Sequence, residues 1–438
     1  LPVRLPVLKE STGLRYFAFL YLYIMQGIPS GFALTAMANY LAGRGLSSHA
    51  IGTFVAIVGI PWVVQFVWGP IIDRYQYSVI GHRKQWVVLT QLVAFVASLS
   101  LLLVHDPAGQ VGLMSAVFFI HSIFASVQDA SVDAIAIAIV PDRERGRVNA
   151  FMRGGYLLGI AIGSAGLSTV LHHYGFRQAA LVQSALLLAM TVLTFFIKLD
   201  SADQLIPRFG KFARPDVGHQ EENPSLAWLF KELYKGIAER SNLQTFGIIA
   251  LVYCCGSIFI RSFSYYTIHN LHWADQQISV LQGGWGTLAT VLVTITGGVV
   301  ADRIGPAKLQ LRVMLALCAF LIIFNSLGFL WGHRPVTVAG LILWNFADPM
   351  FSVAAMPVLM ALCRQKVEGS QFTTYMAMVN FCDVVGSYVS GWALTLITAP
   401  HLGLICGGLI LTACLITIYR QRTKKAQLDF NKLVTDKS

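Results

Sequence analysis

The sequence predicts an all-α polytopic membrane protein, with twelve transmembrane helices forming two pseudo-symmetric halves of six. Three observations carry this. Hydrophobic residues make up 55% of the chain and charged residues 12%, against about 25% charged in an ordinary soluble domain. Apolar runs of about twenty residues, enough for a helix to cross about 30 Å of hydrocarbon, recur from end to end. They do not alternate apolar with polar residues, which excludes a membrane β-barrel. Finally, a charged hinge, WGPIIDRYQYSVIGHRKQW (Trp68 to Trp86), returns in the second half as GGVVADRIGPAKLQLR, so that Gly69-x3-Asp73-Arg74 is matched by Gly298-x3-Asp302-Arg303. A repeated hinge after a repeated apolar run implies internal duplication.

The net charge of +11 would suit a nucleic-acid partner, but the placement of the charges argues against one. Arg44, Arg177 and Arg334 fall in one set of loops and Arg261 deep inside a span, while the other Lys and Arg gather in the tails, the alternate loops and the helix ends beside them. This is the positive-inside pattern, and it predicts both termini in the cytoplasm. The seven cysteines lie in expected helices or at their ends, so no disulfide framework is expected. The first apolar run is long and followed by others, and reads as a retained span.

Residues 1–198 are expected to form the N-terminal half, 199–241 a cytoplasmic linker, 242–420 the C-terminal half and 421–438 a basic tail. The first segment, about 16–41, is interrupted by QGIPSGF, where Pro29 and Gly31 should bend it and open a cavity wall from Gln26 to Phe32. The second, about 48–67, carries Trp62 and Gln65, and the hinge leads into the third, about 85–104. The fourth, about 111–140, has the most polar face of this half: Ser122, Ser126, Asp129 and Asp133 share one stripe. Two carboxylates one turn apart within lipid must pair, take up a proton or face water. The fifth, about 148–170, opens with Arg153, expected to pair with Asp133, and carries Gly155-x3-Gly159-x3-Gly163, a small-residue stripe for close helix packing. The sixth ends near Lys198. An amphipathic stretch, 226–237, is expected to lie along the inner membrane surface.

In the second half the seventh segment, about 243–266, holds Arg261 with Tyr265 and Tyr266 near it, and the eighth, about 278–300, holds Gln282 and Trp285. An arginine inside a span needs a carboxylate, a cavity or an anionic ligand, or must snorkel to the surface. The tenth, about 336–362, contains Asn345 and Asp348, and the eleventh, about 372–396, contains Asn380, Asp383 and Tyr388. The twelfth closes at Tyr419.

The two hinges, with YLYIMQGIPSGF, IPWVVQFVWGPIIDRY followed by GHRKQW, SVQDASVDA, and CRQKVEGSQFTTYMAMVNFCDVVGSYVSGW, resemble the major facilitator superfamily. Within it the pattern is similar to the AmpG-type muropeptide permeases, and the RhtX/FptX siderophore importers and acetyl-CoA transporters share much of it. AmpG-type chains often carry helices beyond twelve, so twelve here leans toward the shorter siderophore-importer branch. The resemblance implies a secondary active transporter of the bacterial inner membrane, working as a monomer. Its substrate is expected to be a bulky organic solute held between halves that rock, with a proton as coupling ion.

On that footing the cavity is expected to be lined by Tyr23, Gln26, Trp62, Gln65, Tyr156, Arg261, Tyr265, Trp285, Asn345, Asn380 and Tyr388. Asp348 and Asp383 lead as proton carriers, with Asp129 and Asp133 beside them. Asp73, Arg74, Arg83 and Arg153, with Asp302 and Arg303, are expected to latch the cytoplasmic side. A transporter or exchanger of acetyl-CoA or another anionic metabolite is the alternative. An intramembrane acyltransferase finds no support: the chain has no H-E-x-x-H, no G-x-S-x-G, and no His/Cys/Asp set at metal spacing, so neither metal nor cofactor is expected.

Overall fold

The computed structural model describes residues 7–68, 71–72, 80, 83–141, 144–201, 203, 226–364 and 368–435. Six long helices form the first half: α1 (Thr12–Gly43), α2 (Ser48–Val67), α3 (Lys84–Leu103), α4 (Val111–Ile139), α5 (Arg145–Ala161, continued by Ile162–Gly166 and Leu167–Tyr174) and α6 (Phe176–Phe196). A short helix, α7 (Leu226–Ala238), occupies the amphipathic stretch. The second half comprises α8 (Arg240–His269), α9 (Asp275–Val280, Leu281–Trp285 and Gly286–Ile304), α10 (Pro306–Ser326), α11 (Arg334–Ala361), α12 (Glu368–Ala393) and α13 (Ala399–Thr435). Among the described residues, ten of these helices are long and apolar enough to cross a membrane. Helices α9 and α12 complete the set of twelve.

The duplication is visible in the packing. Helix α1 lies against α5 and α6, and α8 lies in the same way against α12 and α13; α4 packs on α2 and α3, and α11 on α9 and α10; α3 meets α6, and α10 meets α13. The contacts between halves obey the same symmetry: α2 against α12, α5 against α9, and α1 against α8. The seam is therefore built from helices that each half presents in equivalent positions.

Small residues set the closest approaches. The Gly155, Gly159 and Gly163 stripe of α5 lies directly on the α1 backbone, and a Cβ on Gly159 would fall 2.8 Å from Gly27 Cα. Across the seam, a Cβ on Gly52 of α2 would stand 2.6 Å from the Ser387 carbonyl oxygen of α12. Side chains are excluded at both places, which lets backbones touch.

The break expected at QGIPSGF takes another form. Helix α1 runs through Pro29 and then widens into a π-helical stretch, Phe32–Met37. Proline supplies no N–H, and the Phe32 N–H is shared between the Ile28 and Pro29 carbonyls. Two further π-helical stretches, Ile162–Gly166 in α5 and Leu281–Trp285 in α9, pack against each other, and that of α1 packs on that of α5.

At the end bearing the termini the first half is stitched together. Arg15 and Glu144, both buried, form an ion pair at 2.7 Å, and Arg15 also donates to the carbonyls of Leu8 and Lys9. Leu8 N–H donates to the Lys198 carbonyl at 2.9 Å, and Lys9 pairs with Asp200. The chain before α1 is thus tied to the end of α6 and to the α4–α5 loop.

Candidate functional site

Two polar clusters face the region between the halves. In the first, α4 presents Asp129 and Asp133 one turn apart. Tyr23 Oη of α1 donates to Asp133 Oδ1, and Gln65 Nε2 of α2 donates to Asp129 Oδ2. Trp68 Nε1 donates to Ser126 Oγ at 3.1 Å, one turn further along α4. Gln26 lies buried beside this group, and its Nε2 has no hydrogen-bond partner among the described residues. An amide and a phenol thus donate to the two carboxylates, as buried oxygens require, and the indole donates to the serine beside them.

In the second cluster, Ser257 Oγ of α8 donates to Asp383 Oδ1 of α12 at 2.7 Å and lies 3.4 Å from Ser387 Oγ. Arg261, one turn beyond Ser257, stands 3.8 Å from Asp383 Oδ2. Its Nη1 also crosses the seam to donate to the Leu34 carbonyl of α1. Of the two side chains, Asp383 is 47% exposed and Arg261 23%, so this ion pair keeps access to solvent-sized space.

The seam is closed at one end. Among the described residues, hydrogen bonds between the halves run from Asn39 Nδ2 to Ser279 Oγ (3.0 Å) and Gln282 Oε1 (3.1 Å), from Ser48 Oγ to the Gly391 carbonyl (2.8 Å) and from Gln276 Nε2 to Thr169 Oγ1 (3.2 Å). They continue inward through Arg261 to Leu34 and Thr287 Oγ1 to the Leu157 carbonyl (3.4 Å), as far as Asn380 Nδ2 to the Trp62 carbonyl (3.5 Å). Ser48 and Trp62 are about 21 Å apart along α2. These hydrogen bonds therefore run along α2 from the end away from the termini for about two-thirds of its length, and α12 still packs on Gln65–Val67 beyond them. Asp383 lies just within their inner limit, one turn from Asn380, while Gln65 and Asp129 lie just beyond it.

The remaining sequence-derived residues are distributed as follows. Tyr156 is half-buried on α5. Asn345 Nδ2 donates to the Leu281 carbonyl at 2.8 Å, and Tyr265 stacks on His269. Trp285 and Tyr388 stand out, 58% and 47% exposed, with Tyr388 edge-on to His49 across the seam. Arg83 Nη1 donates to the Ala134 carbonyl at 3.1 Å, linking the hinge to the inner end of α4. Arg153 does not pair with Asp133: it is exposed, and Asp133 accepts from Tyr23. Depth along neighbouring helices matched the two, but the turn of α5 points Arg153 away. Arg303 is exposed at the end of α9. Asp73 and Arg74 lie outside the described residues, as do the side chains of Asp302 and Asp348.

Several polar residues of the clusters and seam escaped the sequence reading. Ser257, Asn39, Ser279 and Ser48 are ordinary small polar residues within helices, and only their partners from other helices distinguish them. Arg15 stands at the start of the first apolar run and Glu144 in the charged loop PDRERGR, and nothing in either place pairs them.

A model of the Major Facilitator Superfamily matches residues 16–243 and 245–435. The chain is 23% identical over 376 residues to the anhydromuropeptide permease of Escherichia coli K12, covering 85% of this chain and 73% of that one. It is 22% identical over 381 residues to a transporter designated AmpG 4 of Rickettsia conorii, covering 84% and 87%. Among solved structures it is similar to the nucleoside transporter NupG, with a TM-score of 0.69 at 14% identity over 92% of this chain and 98% of that one.

Proposed function

The chain belongs to the major facilitator superfamily, and from that premise we propose that it is a proton-coupled importer of an anhydromuropeptide-type solute. As a member of that family it is a multi-pass membrane transporter and not an enzyme. The solute is read as a saccharide–peptide because relatives named for such permeases align over more than four-fifths of the chain. On this reading the protein resides in the bacterial inner membrane as a monomer, with both termini cytoplasmic, in keeping with the positive-inside charge.

The observation that carries the reading is the one-sided seam with carboxylates at its inner limit. Among the described residues, the hydrogen bonds between the halves gather toward the end of the molecule away from the termini and stop at Asn380 and Trp62, so a rocking motion that parts them would open that face. With cytoplasmic termini, the conformation described is inward-facing. A solute entering the space below Asn380 and Trp62 meets Asp129, Asp133, Tyr23, Gln26 and Gln65, and Asp383 with Arg261 stands one turn and more beyond that limit, within the closed contacts. Asp383 and Asp348 are read as the leading proton carriers, and Asp129 and Asp133 as the second pair, because all four stand within membrane spans, where a charged carboxylate is costly. The hinge residues Asp73, Arg74 and Arg83, with Asp302 and Arg303, latch the cytoplasmic face in the opposite conformation.

The test is uptake into proteoliposomes under an inward proton gradient, comparing a 1,6-anhydromuropeptide, a ferric siderophore and acetyl-CoA with and without an uncoupler. Anhydromuropeptide uptake abolished by the uncoupler is the expected result. Uptake of either other solute instead would overturn the substrate, and uncoupler-insensitive movement would overturn the proton.

A further inference from the structure

Three of the helices that meet at the seam contain a π-helical stretch, and two of these stretches have a carbonyl engaged by a side chain from another helix. A π turn carries one residue more than an α turn, so its backbone groups no longer pair in simple register. In α1 the Ala38 N–H turns back to the Thr35 carbonyl and not to Leu34. The Leu34 carbonyl instead accepts from Arg261 Nη1, which arrives from α8 in the other half. In α9 the Leu281 carbonyl accepts the Gly286 N–H across the widened turn, and also accepts from Asn345 Nδ2 of α11 at 2.8 Å.

These turns sit where the seam is tightest. The Leu281–Trp285 turn of α9 packs on the Ile162–Gly166 turn of α5, and Gly283 lies so close to Ser164 that a Cβ there would collide with its Oγ. Gln282, within the same turn, accepts from Asn39 of α1 and donates to Ser264 of α8. A widened turn held at its carbonyl keeps these residues in register across the seam. If either turn relaxed to α-helical winding, the residues beyond it would rotate by about 100° per residue removed from the turn. Asn39 would then lose Ser279 and Gln282.

We infer that Arg261 and Asn345 are positioning residues for closure of the far side, holding the widened turns of α1 and α9 in the shape the seam requires. This rests on the alternating-access part of the reading above and not on the solute or the proton. Arg261 is accordingly more than a counter-charge for Asp383: its guanidinium fork serves a carboxylate in its own half and a backbone carbonyl in the other. Asn345 touches no residue of the first half through this bond, so any effect it has on that half must pass through the seam.

The test is hydrogen–deuterium exchange on the full chain in nanodiscs without substrate, comparing wild type with Asn345→Ala, Arg261→Ala and Arg261→Lys. Peptides covering 160–170 of α5 and 275–288 of α9 report the seam, and peptides within α3 and α6, which take no part in it, report the fold. The expected result is exchange at 160–170 faster by about fivefold or more in all three variants, with α3 and α6 unchanged. Acceleration confined to 275–288 in Asn345→Ala would make that residue a local strut and overturn the inference. Wild-type exchange in Arg261→Lys beside rapid exchange in Arg261→Ala would reduce Arg261 to a counter-charge and overturn its part. Loosening that extends to α3 and α6 would make these fold residues and overturn it as well. None of these results depends on whether an anhydromuropeptide is carried.

Discussion

Replacing Gly391 by alanine should open the far side of the seam without unfolding either half. A Cβ at Gly391 would stand 2.5 Å from the Ser48 carbonyl oxygen, 3.1 Å from Gly52 Cα and 3.2 Å from His49 Cα. All three are backbone atoms of α2, so no side chain can swing aside. Ordinary contact begins at 3.4 Å, and α2 and α12 would have to part by about 0.9 Å. Overpacking of this size costs about 1–3 kcal/mol. Parting also stretches the 2.8 Å bond from Ser48 Oγ to the Gly391 carbonyl. Because α2 and α12 belong to different halves, the cost falls only on the conformation in which they touch. A penalty of 1–3 kcal/mol therefore shifts the closed-to-open ratio on this side by roughly 5- to 150-fold. The control is Gly159→Ala, where the Cβ falls 2.8 Å from Gly27 Cα. There α1 and α5 lie in one half and touch in every conformation, so the cost is one of stability. Hydrogen exchange of the far ends of α2 and α12, with thermal melting of the same samples, separates the two. Gly391→Ala should accelerate exchange at the seam with little change in melting temperature, and Gly159→Ala should lower the melting temperature. Equal loss of melting temperature in both, with no change at the seam, would refute the assignment of α2 and α12 to a contact that parts.

Three further outcomes follow from the same geometry. Glu144→Gln should destabilise the protein by about 3–5 kcal/mol, because it strands the buried Arg15 guanidinium, and the double variant Arg15→Met/Glu144→Leu should recover much of the loss; thermal melting reads both. Neutralising Asp348 and Asp383 together should abolish proton-driven uptake while leaving exchange of labelled solute across the membrane measurable; unchanged uptake under a proton gradient would transfer the role to Asp129 and Asp133. Arg74→Ala should slow cycling more than it weakens solute binding, as seen by comparing initial uptake rates with equilibrium binding.

The fold was legible because it rests on quantities a sequence states outright. Run length gives the helices, and the repeated Gly-x3-Asp-Arg gives the duplication. The Gly155, Gly159 and Gly163 stripe was legible for the same reason, since helical spacing puts small residues on one face. What could not be read was azimuth between distant helices. Asn39 and its partners Ser279 and Gln282 are about 240 residues apart, and nothing in either stretch announces the other. Arg153 and Asp133 agreed in depth yet face different ways. The π turns were invisible because one extra residue in a long apolar helix barely disturbs its hydrophobic pattern; Pro29 and Gly31 hinted at irregularity, and they suggested a bend where the chain makes a widened turn. Arg261 was marked as needing a partner, but the Leu34 carbonyl is a backbone group and leaves no trace in residue identity.

The duplication also constrains how the coupling can work. The two halves pack alike, and the helices that meet at the seam are equivalent pairs, so the scaffold alone treats its two conformations evenly. A difference must come from side chains that break the symmetry, and the two carboxylate clusters do so in different ways. Asp129 and Asp133 are held by Gln65 and Tyr23, all within the first half, so their charge can change without altering any bond across the seam. Asp383 is held by Ser257 and Arg261, and Arg261 is the side chain that crosses to Leu34. Neutralising Asp383 removes one of the two claims on that guanidinium and leaves it to the backbone of the other half, whereas restoring the charge draws it back toward α12. Of the carboxylates in the two clusters, Asp383 is thus the one whose charge bears on a hydrogen bond between the halves.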